Sequence, residues 1–280
     1  MLYARTGVNV RGRWPAGPLT LAITLLLFLA PGRGAAQSAS KNVPTCLEVG
    51  EDLIYNVRYG PLDLGQIRIK LLSTWQESGR KVYHGRGLID SYKGIPFVSL
   101  HATYESVMDS GIYSVRFTGK TRDGDHWNFG HYFYDPPNRR TLIEMGRDST
   151  VAKRETLTVA TPAQDGLSLF FFARENLFAN RTVNVPAIVS EKLVDTRIDF
   201  TNDRQSVEMD GIDYPVDVLH FDGNAEFVGL YGMTGEFEGW FSNDAARIPI
   251  KAKVHVLIGS VTIELMKWTR PGWEPPRAKG

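Results

Sequence analysis

Apolar and polar residues alternate along most of this chain in short runs, with turn-forming residues between them. Leu53, Tyr55, Val57 and Tyr59 share one parity, and Gly60-Pro61 ends that run. Leu64, Ile67, Ile69 and Leu71 follow, and a slip of phase at Gly65-Gln66 predicts a bulge. A third run, 82–89, comes after the turn Glu77-Ser78-Gly79. Tyr113, Val115 and Phe117 alternate after Asp109-Ser110-Gly111, and Asp123-Gly124-Asp125 separates them from Trp127, Phe129 and the HYFYD stretch. Asp135-Pro136-Pro137-Asn138 marks another turn, because each proline removes a donor that a central strand needs. Further strands are predicted over 194–200, 207–209, 216–221, 226–231 and 234–241. Side chains of a strand point alternately to its two faces, so each run buries one face. Strands this short and evenly spaced predict an antiparallel sheet, sandwich or barrel.

One segment breaks the period of two. Leu167, Phe170, Phe171, Arg174 and Phe178 recur at helical spacing, and Asp165 stands where its carboxylate can accept from the free amides of a first helical turn. Three consecutive phenylalanines make this helix apolar over more than one face, so it is predicted to lie covered on the sheet. The fold class expected is mainly β: a single antiparallel, open or spiralled barrel-like sheet with one helix on its concave face.

The last long alternation follows GWFSNDAARIP, residues 239–249. Trp240, Ser242, Asp244 and Arg247 sit close together there, and Pro249 opens a run in which Ile250, Ala252, Val254, Val256 and Ile258 share one parity. After Gly259-Ser260, which fits a two-residue hairpin or a bulge, Val261, Ile263 and Leu265 continue in the other phase. A serine, an acid and an arginine this close could be catalytic. They also have the composition of a turn, since Ser, Asn and Asp side chains bond their own backbone a residue or two on. Nucleophilic catalysis by Ser242 would need a base, an orienting group and oxyanion donors, yet no histidine lies nearby and Gly-x-Ser-x-Gly is absent. The turn is the favoured reading, with Asp244 and Arg247 paired across it and Trp240, Ser242, Asp244, Arg247 and Pro249 as a structural motif.

The ends change the picture more than the bulk composition does. Arg5, Arg11 and Arg13 precede the charge-free run 19–30, Pro31 breaks it, and Gly34-Ala35-Ala36 supplies small residues before Gln37. That is the layout of a cleaved secretory signal over 1–36, with an apolar run short for a membrane span. A polar lead-in is expected over 37–46, a β-rich domain over 47–269 and an irregular tail, rich in proline, over 270–280. Loss of the four arginines at 5, 11, 13 and 33 takes the formal charge from +1 to −3 and leaves 244 residues. A weakly acidic, exported chain carries no electrostatic footprint for nucleic acid, and no membrane span is expected once the signal is removed. The single cysteine, Cys46, excludes an internal disulfide, so the core must hold the fold; the residues before it lack a lipoprotein pattern.

Other candidate chemistry is sparse. The histidines at 84, 101, 126, 131, 220 and 255 make no metal-binding spacing, and Asp123-Gly124-Asp125 lacks the later ligands of a calcium loop, so no cofactor or metal is expected. Tyr104, Tyr113, Phe117, Trp127, Phe129, Tyr132 and Tyr134 could line an apolar cavity or fill a sheet core.

Three stretches together resemble a known family: VGEDLIYNVRYGPLDLGQIRI at 49–69, DGLSLFFFAREN at 165–176 and WFSNDAARIPIKAKVHVLIGSVTIEL at 240–265. In order and spacing they are similar to the DUF3108 proteins, exported proteins of bacterial envelopes whose function is unassigned. The string Trp-x-Ser-x-Asp-x-x-Arg-Ile-Pro is the most specific part, with Phe241 and Asn243 as mild departures. The resemblance implies the β fold above, similar to exported lipoprotein carriers in fold only, and brings no catalytic residues. The expected function is a non-enzymatic periplasmic protein that binds an apolar ligand, such as a lipid, or an envelope protein, and so supports envelope integrity. The alternatives are a scaffold with no small ligand, or a hydrolase acting on envelope glycans or lipids.

Overall fold

The computed structural model describes residues 46–95, 99–189, 191–225 and 233–279. The expected signal over 1–36, the lead-in up to 45 and the strand at 226–231 lie outside the described residues. Among these residues are fourteen strands and one α-helix. The first half of the chain supplies β1 (Asp52–Tyr59), β2 (Leu62–Glu77), β3 (Arg80–Ser91), β4 (His101–Met108), β5 (Ser114–Asp123), β6 (His126–Asp135), β7 (Arg140–Arg147) and β8 (Thr150–Thr158). The helix α1 (Gly166–Asn176) follows, and then β9 (Arg181–Val189), β10 (Lys192–Val207), β11 (Val216–Ala225), β12 (Met233–Ser242), β13 (Pro249–Val256) and β14 (Ser260–Thr269).

All fourteen form one antiparallel sheet in the order β8-β7-β6-β5-β4-β3-β2-β1-β14-β13-β12-β11-β10-β9. Each half is a meander of neighbours, and the first and last strands join the two at the centre, with Leu53 opposite Trp268. Helix α1 touches both β4 and β9, nine steps apart in that order. At about 4.8 Å per step those strands would lie roughly 43 Å apart in a flat sheet, whereas a helix is only about 10–12 Å across. The sheet therefore curls around α1. The expected fold class is the observed one.

The helix is built as its sequence dictates. The Asp165 side chain accepts from the amides of Leu167 and Ser168 at 2.8 and 2.7 Å, and Ser168 Oγ accepts from the Asp165 amide at 2.8 Å, a reciprocal capping box. Ser106 and Ser114 donate to the other carboxylate oxygen at 2.6 and 2.7 Å, which ties the helix start to β4 and β5. Burial raises the pKa of this carboxyl, against the lowering effect of those hydrogen bonds. The phenylalanines spread around the curled sheet. Phe170 meets Tyr55 of β1 edge-on at 6.4 Å and Phe241 of β12 at 6.5 Å, while Phe172 lies 5.8 Å from Tyr113. Phe171 is 0% exposed, and a Cβ at Gly85 of β3 would stand 2.6 Å from its ring. Glycine on β3 is what lets the helix approach so closely.

Several local expectations shift. A bulge falls between Val57 and Arg58, opposite Gly65 and Asp63, which leaves Leu64 as the extra residue. Residues 207–209 are not a strand of their own, because Val207 ends β10. The β13–β14 turn is centred on Leu257 and Ile258, closed by Val256 N–H to Gly259 O at 3.1 Å, and Gly259 follows the tip at φ +79°. The segment 270–279 is irregular yet docked: the amides of Asp217 and Ala278 pair with the carbonyls of Pro276 and Pro215 at 2.7 and 2.8 Å. Trp273 packs edge-on against Trp268 of β14. The edge strand β8 carries Lys153, Arg154 and Glu155, charges that discourage pairing with another chain. No helix among the described residues is long and apolar enough to cross a membrane.

Candidate functional site

The Ser242–Ile248 connection between β12 and β13 is a polar turn folded onto the C-terminal end of α1. Asp244 organises it. Its Oδ1 accepts from Ser242 Oγ at 2.9 Å and from the amides of Ala246 and Arg247 at 2.9 and 3.0 Å, while Oδ2 accepts from the Trp273 indole at 2.8 Å. Ser242 Oγ also accepts from the Ile248 amide at 2.7 Å, and the Ser242 amide donates to the Ile248 carbonyl at 2.8 Å. Arg247 itself is held in the left-handed region at φ +50°, an unusual conformation for a residue with a Cβ.

The expected side-chain pair between Asp244 and Arg247 is corrected here: the carboxylate takes the Arg247 amide, and the guanidinium turns away to the helix. Its Nη1 donates to the carbonyls of Arg174 and Glu175 at 3.2 and 2.8 Å, in the last turn of the helix. Arg174 returns the contact. Its Nε and Nη2 donate to the carbonyls of Arg247 and Ala246 at 3.1 and 3.0 Å. Two arginines thus cap each other's backbone across the helix–turn junction.

Beneath this exchange lies a buried charge cluster. Arg174, 0% exposed, grips Glu51 with two bonds of 2.5 and 3.0 Å, and Glu51 is 2% exposed. Arg270, just past β14, donates to the same carboxylate at 2.5 Å and to the Cys46 carbonyl at 2.9 Å. Glu175 accepts from the Cys46 amide at 2.8 Å. Burial, the largest influence, lowers the pKa of Arg174; the Glu51 carboxylate, Cys46 and Tyr55 together raise it above the ordinary arginine range. Burial also pushes the Cys46 thiol up to about 12, so it is no nucleophile at neutral pH.

Chemically this arrangement is closed. Ser242 and the Arg174–Glu51 pair are 0–2% exposed, the serine oxygen already donates once and accepts once, and every Asp244 oxygen is taken. Of the motif residues, Ser242, Asp244 and Arg247 converge on the helix end. Trp240 lies apart from them, its indole N–H on Gln205 at 2.8 Å and its ring against His220, and Pro249 opens β13 opposite Phe241. Among the described residues no group of three or more metal-ligating side chains is placed to hold a metal. Among the aromatics, Tyr104 stacks on Phe117 with ring centroids 5.9 Å apart, and Phe117 meets Tyr132 edge-on at 5.4 Å.

Sequence reasoning did not single out Glu51, Arg174 or Arg270 as partners. Arg174 nevertheless gives a signal, because helical spacing puts it on the apolar face between Phe171 and Phe178. A charge at a position destined for burial demands a buried counter-ion.

The sequence model of one family, described as "Protein of unknown function (DUF3108)", matches residues 54–266. No curated protein matches. Among solved structures, a beta-barrel-like protein of the domain of unknown function DUF1849 from Brucella abortus is similar at a TM-score of 0.50 and 12% identity, over 79% of this chain and 97% of that one. A protein with a YmcC-like fold from Bacteroides fragilis matches at a TM-score of 0.35 and 7% identity, over 80% of this chain and 97% of that one. The first likeness is one of fold.

Proposed function

Starting from a chain that belongs to the DUF3108 family, proteins of unknown function, we propose a non-enzymatic protein of the bacterial envelope that acts through its surface on an envelope partner rather than by carrying a ligand inside. The single observation that carries this reading is the filled concave face. In a carrier the curled sheet would leave room beneath it, whereas here Phe171 occupies that space so tightly that only glycine fits opposite it at Gly85. The buried Glu51–Arg174–Arg270 cluster supports the same reading, since it fastens the helix in place instead of facing a cleft. The basic n-region and apolar run at the start of the chain support export to the periplasm.

Native mass spectrometry of the protein purified from its own periplasm tests this. The bare mature mass is expected. A stoichiometric co-purified lipid would sink the reading and restore the carrier hypothesis.

A further inference from the structure

The outer surface carries one feature that a protein facing only water would avoid. Leu257 and Ile258, at the tip of the β13–β14 hairpin, are 80% and 79% exposed, more than any other large apolar side chain among the described residues. They do not stand alone. Strand β1 pairs with β14 so that Tyr59 lies opposite Val261, which places the neighbouring β1–β2 turn beside this tip. That turn adds Tyr59, Gly60, Pro61 and Leu62, with Leu62 55% exposed.

Two properties of this double tip narrow its occupant. The first is charge. The hairpin from Val254 to Ile263, VHVLIGSVTI, holds no Asp, Glu, Lys or Arg, and neither does the turn Tyr59–Leu62. The second is the backbone. Tyr59 Oη donates to the Ile258 carbonyl at 2.8 Å, and Val256 N–H to the Gly259 carbonyl at 3.1 Å. Unpaired backbone groups are what hydrocarbon penalises most, and here the tip satisfies two of its carbonyls internally. A tyrosine bonded by its hydroxyl at the base of an aliphatic tip also has the amphipathic placement favoured at a membrane–water interface. A convex, charge-free pair of branched aliphatics suits the loosely packed acyl boundary of a bilayer.

We propose that this end of the barrel docks on a lipid bilayer by inserting Leu257 and Ile258, with Leu62 beside them at the interface. The inference deepens the surface-acting reading and rests on it: the sheet interior stays filled while the rim engages the membrane. Because no charged group of the tip takes part, binding is insensitive to salt and to anionic lipid.

The test is co-sedimentation of the mature chain with vesicles of phosphatidylcholine alone, and of phosphatidylethanolamine with phosphatidylglycerol, each at low and high salt. The wild type is expected to sediment with both. The Leu257→Ser/Ile258→Ser variant should lose about tenfold or more of its bound fraction at an unchanged unfolding midpoint, as exposed apolar area is removed without a core change. The Ile258→Cys variant, labelled with a polarity-sensitive dye, should shift to the apolar signature on vesicles; Cys46, 2% exposed, stays unlabelled. A wild type that stays in the supernatant, or a double serine variant that binds equally well, overturns the docking. Binding only to the anionic vesicles at low salt overturns it too, as would a concentration-dependent dimer that the serine variant abolishes. Wild type that draws lipid out of the vesicles into the supernatant would instead overturn the filled-interior reading beneath it.

Discussion

Replacing Glu51 by Leu takes the counter-ion from Arg174 and leaves Arg270 with Glu48 at 3.4 Å. Three charge-assisted bonds of 2.5, 3.0 and 2.5 Å disappear, and the 0% exposed guanidinium of Arg174 is left without a carboxylate. Removing one partner of a buried pair costs about 3–5 kcal/mol, far more than the pair is worth against an apolar replacement. For a domain of this size that lowers the melting midpoint by roughly 6–20 °C. Arg174→Met should cost a similar amount, since it leaves Glu51 with Arg270 alone and takes the donor from the carbonyls of Ala246 and Arg247. The double variant is the informative one. It carries no unpaired charge on the helix side, so its loss should fall to about 2–4 kcal/mol, mostly from those carbonyls. Independent sites would instead sum to about 6–10 kcal/mol. Denaturant unfolding of the four proteins measures the cycle. Losses that add to within about 0.5 kcal/mol would refute the argument that this cluster fastens α1.

The turn and the helix give three further expectations. Asp244→Ala should cost about 3 kcal/mol because four donors lose their acceptor, against about 1–2 kcal/mol for Ser242→Ala; equal losses by denaturant unfolding would contradict the central role of the carboxylate. Phe171→Ala should cost about 3–5 kcal/mol by leaving a cavity, and Gly85→Val about 1–3 kcal/mol by overpacking against the same ring; an unchanged midpoint in calorimetry for either would mean the concave face is not filled. The Asp165 carboxyl has a raised pKa in the folded state, so its contribution is fully present below the ordinary aspartate value and is lost as pH rises through the raised one. Wild type should therefore gain stability relative to Asp165→Asn as pH falls through that window, and a pH-independent difference in unfolding free energy would refute the assignment.

What the sequence made legible follows from local physics. Alternation marks β1 because Leu53 and Tyr55 are buried while their neighbours are only partly so, and it marks β13 because its apolar residues share one parity. Asp165 announces α1 because a cap acts within three residues of itself. Strand β7 shows no apolar rhythm because it buries Thr141 and exposes Leu142, and the edge strand β8 is exposed at most of its positions. Strand β9 contains Pro186, which reads as a strand breaker. The charge cluster was illegible for a different reason. Glu51 and Arg174 are 123 positions apart, and Glu51 and Arg270 are 219 apart, so no spacing rule connects them. With the fold in hand, the three stretches that carry the family resemblance prove to meet at one point. Glu51 comes from the first, Arg174 from the second, and the Asp244–Arg247 turn from the third.

The pairing of the first strand with the last also sets a timetable. Each meander can zip from neighbour to neighbour as it emerges, since consecutive hairpins close short loops. The central seam cannot form early, because Leu53 must wait for Trp268. Until then β1 and β13 both present an open row of amides and carbonyls at what will become the middle of the sheet, a ready template for pairing with another chain. The two ribbons therefore stay unjoined until β14 has formed and found β1. Cutting the chain before β14 would not yield a slightly smaller barrel, but two ribbons free to find other partners.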